Sequence, residues 1–149
     1  MNPEDVTPEY ITGVLALGVN RISLGIQTLN ETSLKEIHRS DRNTIFGALE
    51  SISYEIKKSN NNISVNIDFI LGLPFVKLGQ TLSAIVELHE QFPYITHTSV
   101  YMLEDEEYPK HWKASSITED EMQIEFLAII EHFNSLGWHQ YELSNFSKK

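Results

Sequence analysis

The 149-residue chain contains no cysteine. That absence excludes disulfides, a thiolate nucleophile, and any zinc or iron–sulfur site built on sulfur ligands. Basic residues are also scarce: 11 Lys and Arg stand against 21 Asp and Glu, for a formal net charge of −10. The cations are scattered, with Lys57-Lys58 and Lys148-Lys149 as their longest runs. Binding phosphates requires clustered Lys and Arg, so nucleic acid is not an expected partner. No apolar run reaches the ~18 residues of a membrane span, and no N-terminal stretch has the pattern of a signal peptide. Glycine and proline are few, and no low-complexity segment interrupts the chain. The expectation is a cytoplasmic, soluble, single domain over residues 1–149, long enough to bury a sizeable core.

What the chain does have is alternation. Ile22-Ser23-Leu24-Gly25-Ile26-Gln27 and Ile63-Ser64-Val65-Asn66-Ile67-Asp68-Phe69 place large apolar residues at every second position. Successive side chains of a strand point to opposite faces. One face of each segment is then aliphatic or aromatic, and the other carries Ser23, Gly25, Gln27 or Ser64, Asn66, Asp68. A solvated face would favour Lys and Glu; a small, mostly uncharged one suits a crowded polar interior with a ligand at its rim. The acidic runs Glu104–Glu107 and Glu119–Glu121 read as solvated loops or helix starts.

Helix signals separate the strands. Thr7-Pro8 is a cap followed by a proline at the first helical position, and Gly18 is placed to close that helix. A strand over 21–27 follows, then a short helix capped by Asn30, then a longer one from near Asn43 with Ile45, Leu49, Ile52 and Ile56 at helical spacing. The run Ser59–Asn62 ends it before a strand over 63–70. A helix over 80–91, with Leu82, Ile85, Val86 and His89 as its buried stripe, leads to a strand over 97–103. Thr118-x-x-Glu121 is a capping box for a last helix that Gly137 closes, and residues 140–146 form a late strand. Strict alternation of helices and strands implies parallel strands with helical crossovers. Strands that keep one polar face favour a barrel lumen over a doubly wound sheet. In such folds, ligands meet the C-terminal ends of strands, where Gln27 and Asp68 fall.

The phrases Gly18–Gln27, Asp68-Phe69-Ile70-Leu71-Gly72-Leu73-Pro74, His97–Leu103 and Tyr141-Glu142-Leu143-Ser144-Asn145-Phe146, preceded by Asn2-Pro3, occur in order over nearly the whole chain. Together they resemble the radical SAM proteins of the HemW (haem chaperone) and oxygen-independent coproporphyrinogen III oxidase group. The closing phrase leans to the HemW branch. The resemblance implies an α/β fold, a partial (β/α)6 radical SAM barrel, of which residues 1–149 are the C-terminal half of the core. It also implies S-adenosylmethionine (SAM) as cofactor, with Gln27, Arg39 and Asp68 as its contacts. Asp68 would accept from ribose hydroxyls, Arg39 would pair with the methionyl carboxylate, and Gln27 would supply a neutral donor and acceptor.

Departures from the family pattern limit these implications. The family's Cys-x-x-x-Cys-x-x-Cys motif has no counterpart here, so the [4Fe–4S] cluster of the full-length family is not ligated by this chain and no metal ligand is assigned. The Gly-Arg-x-His stretch reads His38-Arg39-Ser40-Asp41, and extra residues follow Pro74. The expected function is that of a fragment of a porphyrin- or haem-metabolism protein that keeps part of a SAM site, with no catalytic residue of its own. Haem or a porphyrin, and a complementary N-terminal chain, are the partners that this implies. The alternative is a stand-alone, non-catalytic half-barrel acting as a binding or interaction module. The six histidines show no His-x-x-x-His spacing and read as core or surface residues.

Overall fold

A computed structural model describes residues 1–59, 63–104 and 108–148. The chain opens with a 3-10 turn at Pro3–Asp5, followed by α1 (Pro8–Ala16), β1 (Arg21–Gln27), α2 (Glu31–Glu36), α3 (Arg42–Ser59) and β2 (Ser64–Leu71). Then come α4 (Gln80–Gln91), β3 (His97–Met102), α5 (Lys110–Lys113), α6 (Glu119–Ser135), β4 (His139–Glu142) and β5 (Asn145–Ser147). Asn60–Asn62, expected to end α3, lie outside the described residues, as do Asp105–Glu107 of the acidic run and the terminal Lys149.

Local chemistry sets the boundaries. Thr7 Oγ1 accepts from the Tyr10 amide at 3.1 Å, with Pro8 at the first helical position of α1. At α6 the capping box is reciprocal: Glu121 N donates to Thr118 Oγ1 at 3.2 Å, and Thr118 N donates to Glu121 Oε2 at 2.8 Å. The helix expected from near Asn43 starts at Arg42, and Asp41 caps it by accepting from the Thr44 amide at 2.8 Å. The α1 and α6 helices end at Gly18 and Gly137, whose φ of 84° and 73° is cheap only for glycine.

The five strands form one sheet in the order β1-β2-β3-β5-β4. β1, β2 and β3 are parallel, with Gly25 opposite Asp68 and Asp68 opposite Ser99. Each parallel neighbour follows a helical crossover, as sheets of this kind require. The expected late strand is instead a hairpin. β5 pairs antiparallel with β3, and β4 pairs antiparallel with β5, around a turn at Leu143-Ser144. Gln140 Nε2 donates to the Leu143 carbonyl at 2.9 Å and pins that turn.

The aliphatic face of the sheet is the buried one. Ile22, Leu24, Ile26, Val65, Ile67, Phe69, Val100 and Phe146 pack with Ile11, Leu15, Ile45, Leu49, Ile52, Ile85, Leu88, Ile129 and Phe133 of the helices in a single core. Burying each large apolar side chain contributes about 1.5–3 kcal/mol. The opposite face, with Ser23, Gly25, Gln27 and Asp68 half-buried, is the polar surface. In α4 the buried residues are Thr81, Ala84, Ile85 and Leu88, so the stripe is rotated from the expected one; Leu82, Val86 and His89 are only half-buried.

His89 links the helix layer to the sheet. One ring nitrogen lies 2.8 Å from Thr98 Oγ1, and the ring stacks on Trp138 at 4.7 Å. Burial is the main reason its pKa falls from 6.5 to about 4, with the charges of Lys148 and His132 adding to the effect. The unfolded chain therefore binds a proton between pH 6.5 and 4 that the folded chain refuses. Stability is at its full value above pH 6.5 and falls as the pH drops through that window, by on the order of 3 kcal/mol in total. Urea midpoints measured from pH 7 to pH 4 should show this slope, and His89→Gln should flatten it relative to wild type.

Candidate functional site

β1 ends in an irregularity. The register with β2 shifts between Gly25 and Gln27, and Gln27 has a φ of 68°. That conformation is uncommon for a side-chain-bearing residue, and bulges of this kind re-aim side chains at strand ends. Here the bulge turns Gln27 back over Gly25. A Cβ placed on Gly25 would lie 2.8 Å from Gln27 Nε2 and 3.3 Å from an Arg39 guanidinium nitrogen. The glycine thus makes the floor of a small cradle, with Gln27 and Arg39 above it and Asp68 in register beside it.

Arg39 reaches this position from the turn after α2. Its Nη1 donates to Asn2 Oδ1 at 2.8 Å, which leaves Nη2 pointing over Gly25. The N-terminal segment runs along the outer edge of β1: Met1 N donates to the Ser23 carbonyl at 2.8 Å, and the Gly25 amide donates to the Met1 carbonyl at 3.0 Å. That pair of bonds is the pattern of a parallel strand bridge. Asp68 lies one pleat inside the rim, because β2 continues to Leu71. Its carboxylate accepts from Ser23 Oγ at 2.9 Å and from Asn66 Nδ2 at 2.6 Å. The three residues singled out in the sequence, Gln27, Arg39 and Asp68, are therefore brought around Gly25.

Two features of the rim were not legible beforehand. The short helix α5 is tied back to α2, because Trp112 Nε1 and His111 Nε2 lie 2.9 and 2.8 Å from Glu36 Oε1. The hydrogen bonds from His111 and then Trp112 hold the Glu36 carboxyl below its usual range. A cavity of about 1400 Å³ opens beside α5 at the ends of β2 and β3, lined by Gly72, Met102, Leu103, Trp112 and Met122 among others. The sequence pattern held no signal for α5, whose only apolar residue is Trp112. At the opposite end of the polar face, His97 Nδ1 sits 2.9 Å from Ser64 Oγ.

Among the described residues, no group of three or more His, Cys, Asp or Glu side chains could hold a metal ion, and no helix is long and apolar enough to cross a membrane. No family model matches the chain. The fold is nevertheless a known one. The chain superposes on coproporphyrinogen III oxidase (HemN) from Escherichia coli, a radical SAM enzyme, with a TM-score of 0.80 and 19% identity, covering 99% of this chain and 34% of that one. In sequence it is 35% identical over 150 residues to the heme chaperone HemW of Buchnera aphidicola (from Acyrthosiphon pisum) and 31% identical over 153 residues to that of Lactococcus lactis. It is also 29% identical to a radical S-adenosyl methionine domain-containing protein 1 of zebrafish mitochondria. These matches place the chain in the HemW/coproporphyrinogen oxidase-like radical SAM family. The chain spans 38% of the length of each of these two HemW relatives.

Proposed function

We propose that this chain supplies part of an S-adenosylmethionine site in a HemW-like protein of haem metabolism, with Gln27, Arg39 and Asp68 as the contacts. The observation that carries this reading is the cradle over Gly25, where the amide of Gln27 and the guanidinium of Arg39 meet beside the Asp68 carboxylate. That donor set fits the cofactor. Asp68 has one sheet-derived donor on each oxygen and lone pairs left over for ribose hydroxyls. The free edge of the Arg39 fork suits a carboxylate, and Gln27 can donate to or accept from a neutral group. Bound there, S-adenosylmethionine would supply a reactive sulfonium. The residues do not fit an iron–sulfur cluster, since the chain has no thiolate to ligate one. On this reading the chain is not catalytic by itself: residues 1–149 act as the C-terminal half of the core and need a complementary N-terminal chain. Haem or a porphyrin would be the cargo or substrate of the whole.

Calorimetry of the 149-residue chain with S-adenosylmethionine tests the site. Asp68→Ala should weaken binding at least tenfold, since hydrogen bonds to charged groups are worth about 1.5–3 kcal/mol. Gly25→Ala should act similarly by displacing Gln27, with little effect on the urea midpoint. A soluble, monodisperse wild-type chain that binds no S-adenosylmethionine would instead support the interaction-module reading, and unchanged affinity in Asp68→Ala would remove the assignment.

A further inference from the structure

The motif Tyr141–Phe146 has no role in the cradle itself, yet a hydrogen-bonded chain of side chains joins it to Asp68. We propose that Asn66 is a positioning residue for Asp68, and that Ser99 and Asn145, on the neighbouring strands β3 and β5, hold Asn66 in place. The proposal rests on the reading of Asp68 as a ligand contact.

Asn66 and Ser99 are each only 2% exposed, in the middle of the polar face. Buried polar groups of this kind must find protein partners, and which partners they find fixes their orientation. Asn66 Nδ2 lies 2.6 Å from Asp68 Oδ1, 2.9 Å from Ser23 Oγ and 3.1 Å from Ser99 Oγ. The reversed amide would set its carbonyl oxygen against the carboxylate, so the charge on Asp68 selects the orientation with nitrogen inward. The second amide proton is shared between two acceptors, Ser23 Oγ at 2.9 Å and Ser99 Oγ at 3.1 Å. Ser99 has a single hydroxyl proton and two candidate acceptors, Asn145 Oδ1 at 2.7 Å and Asn66 Oδ1 at 3.2 Å. Donation to the nearer Asn145 leaves the Ser99 oxygen free to accept from Asn66. Asn145 is held in turn because its own Nδ2 donates to Glu142 Oε2 at 2.6 Å.

The chain therefore runs Glu142, Asn145, Ser99, Asn66, Asp68, across β4, β5, β3 and β2. Ser23 closes it by donating to the other Asp68 oxygen at 2.9 Å. Asp68 is held at both oxygens in one rotamer with its remaining lone pairs directed away from the sheet. Around metal-ligating side chains such supporting hydrogen bonds are typically worth 10–100-fold in affinity, and the same logic applies to a carboxylate that contacts an organic ligand. The hairpin thereby acts on the site without touching the ligand.

Nuclear magnetic resonance of the free 149-residue chain decides the positioning claim without any ligand. Asn145→Ala should shift the side-chain amide signals of Asn66 and the carboxyl carbon of Asp68, whereas Leu143→Ala, at the exposed turn of the same hairpin, should leave both in place. Asn66→Leu, similar in volume and unable to donate, should move the Asp68 signal further. Should Asn66→Leu fail to fold, Asn145→Ala carries the test alone. An Asp68 carboxyl signal that ignores Asn145→Ala would overturn the proposal. In calorimetry, Asn66→Leu should weaken S-adenosylmethionine binding about tenfold and Asn145→Ala by a few-fold. A wild-type chain that does not bind sinks the cofactor reading, while the resonance shifts still judge the positioning claim separately.

Discussion

Phe133→Ala is expected to destabilise the chain by about 3–5 kcal/mol, the range for removing a fully buried phenylalanine that leaves a cavity. Phe133 is 1% exposed and touches aromatic rings on three sides. It stacks on Phe146 at 4.5 Å and packs at a tilt against Trp138 at 4.9 Å and His89 at 5.6 Å. No neighbour can collapse into the space without breaking another stack, so the cost should fall at the upper end of that range. Whole-domain stability is only 5–15 kcal/mol, and the midpoint of thermal unfolding should fall by roughly 10 °C. The loss should also be directional. Phe133 joins α6 to β5, and β5 holds the hairpin to β3 through antiparallel pairing of Thr98 with Phe146. Amide exchange measured on the variant should speed up first in the hairpin, where the Ser144 carbonyl accepts from the Val100 amide and the Lys148 amide donates to the Thr96 carbonyl. Uniform acceleration over β1 and β2 would show that the hairpin is not a separate unit.

Much of this fold was legible because two simple periodicities carry it. The alternation in 22–27 and 63–69 identified both the buried and the polar face of β1 and β2, and the core confirms that assignment. Caps were equally direct, since Thr7-Pro8 and Thr118-x-x-Glu121 are bonded as their chemistry requires. Gln27, Arg39 and Asp68 came from a resemblance rather than from periodicity, and what brings them together is a bulge and a close approach at Gly25. Bulges leave no periodic trace. The hairpin was misread as one strand for a related reason. Tyr141 and Leu143 alternate with Gln140, Glu142 and Ser144 up to the turn, and the alternation breaks only at Asn145-Phe146, too late to show that the chain reverses. In the sequence Asn66 is one member of the polar face of β2. Its significance depends on Ser99 and Asn145, which are distant in sequence and meet it only through strand order. The strap from Trp112 to Glu36 depends on the same kind of long-range contact.

One misread element had a visible signal. Met122, Glu125, Ile129 and Phe133 fall at helical spacing on α6, so a carboxylate sits in an otherwise apolar stripe. In the structure Glu125 is 2% exposed, and its Oε1 accepts from the backbone amides of Thr81 and Leu82 at 2.9 and 3.1 Å. Those amides belong to the first turn of α4, whose N-cap is Gly79 and offers no side-chain acceptor. Glu125 is thus a cap supplied by a neighbouring helix, and it explains why the buried stripe of α4 begins at Thr81 instead of Leu82. Glu125→Ala leaves two amides without a partner, one of them on buried Thr81, and should cost about 3 kcal/mol. Glu125→Gln separates the acceptor from the charge. It retains an oxygen for both amides, and Glu125 Oε2 has no partner among the described residues, so the buried charge contributes little beyond its attraction to the helix dipole. That variant should lie within about 1 kcal/mol of wild type. Urea unfolding of the two variants side by side checks the argument: equal losses would mean that the charge, and not the capping acceptor, is what α4 requires.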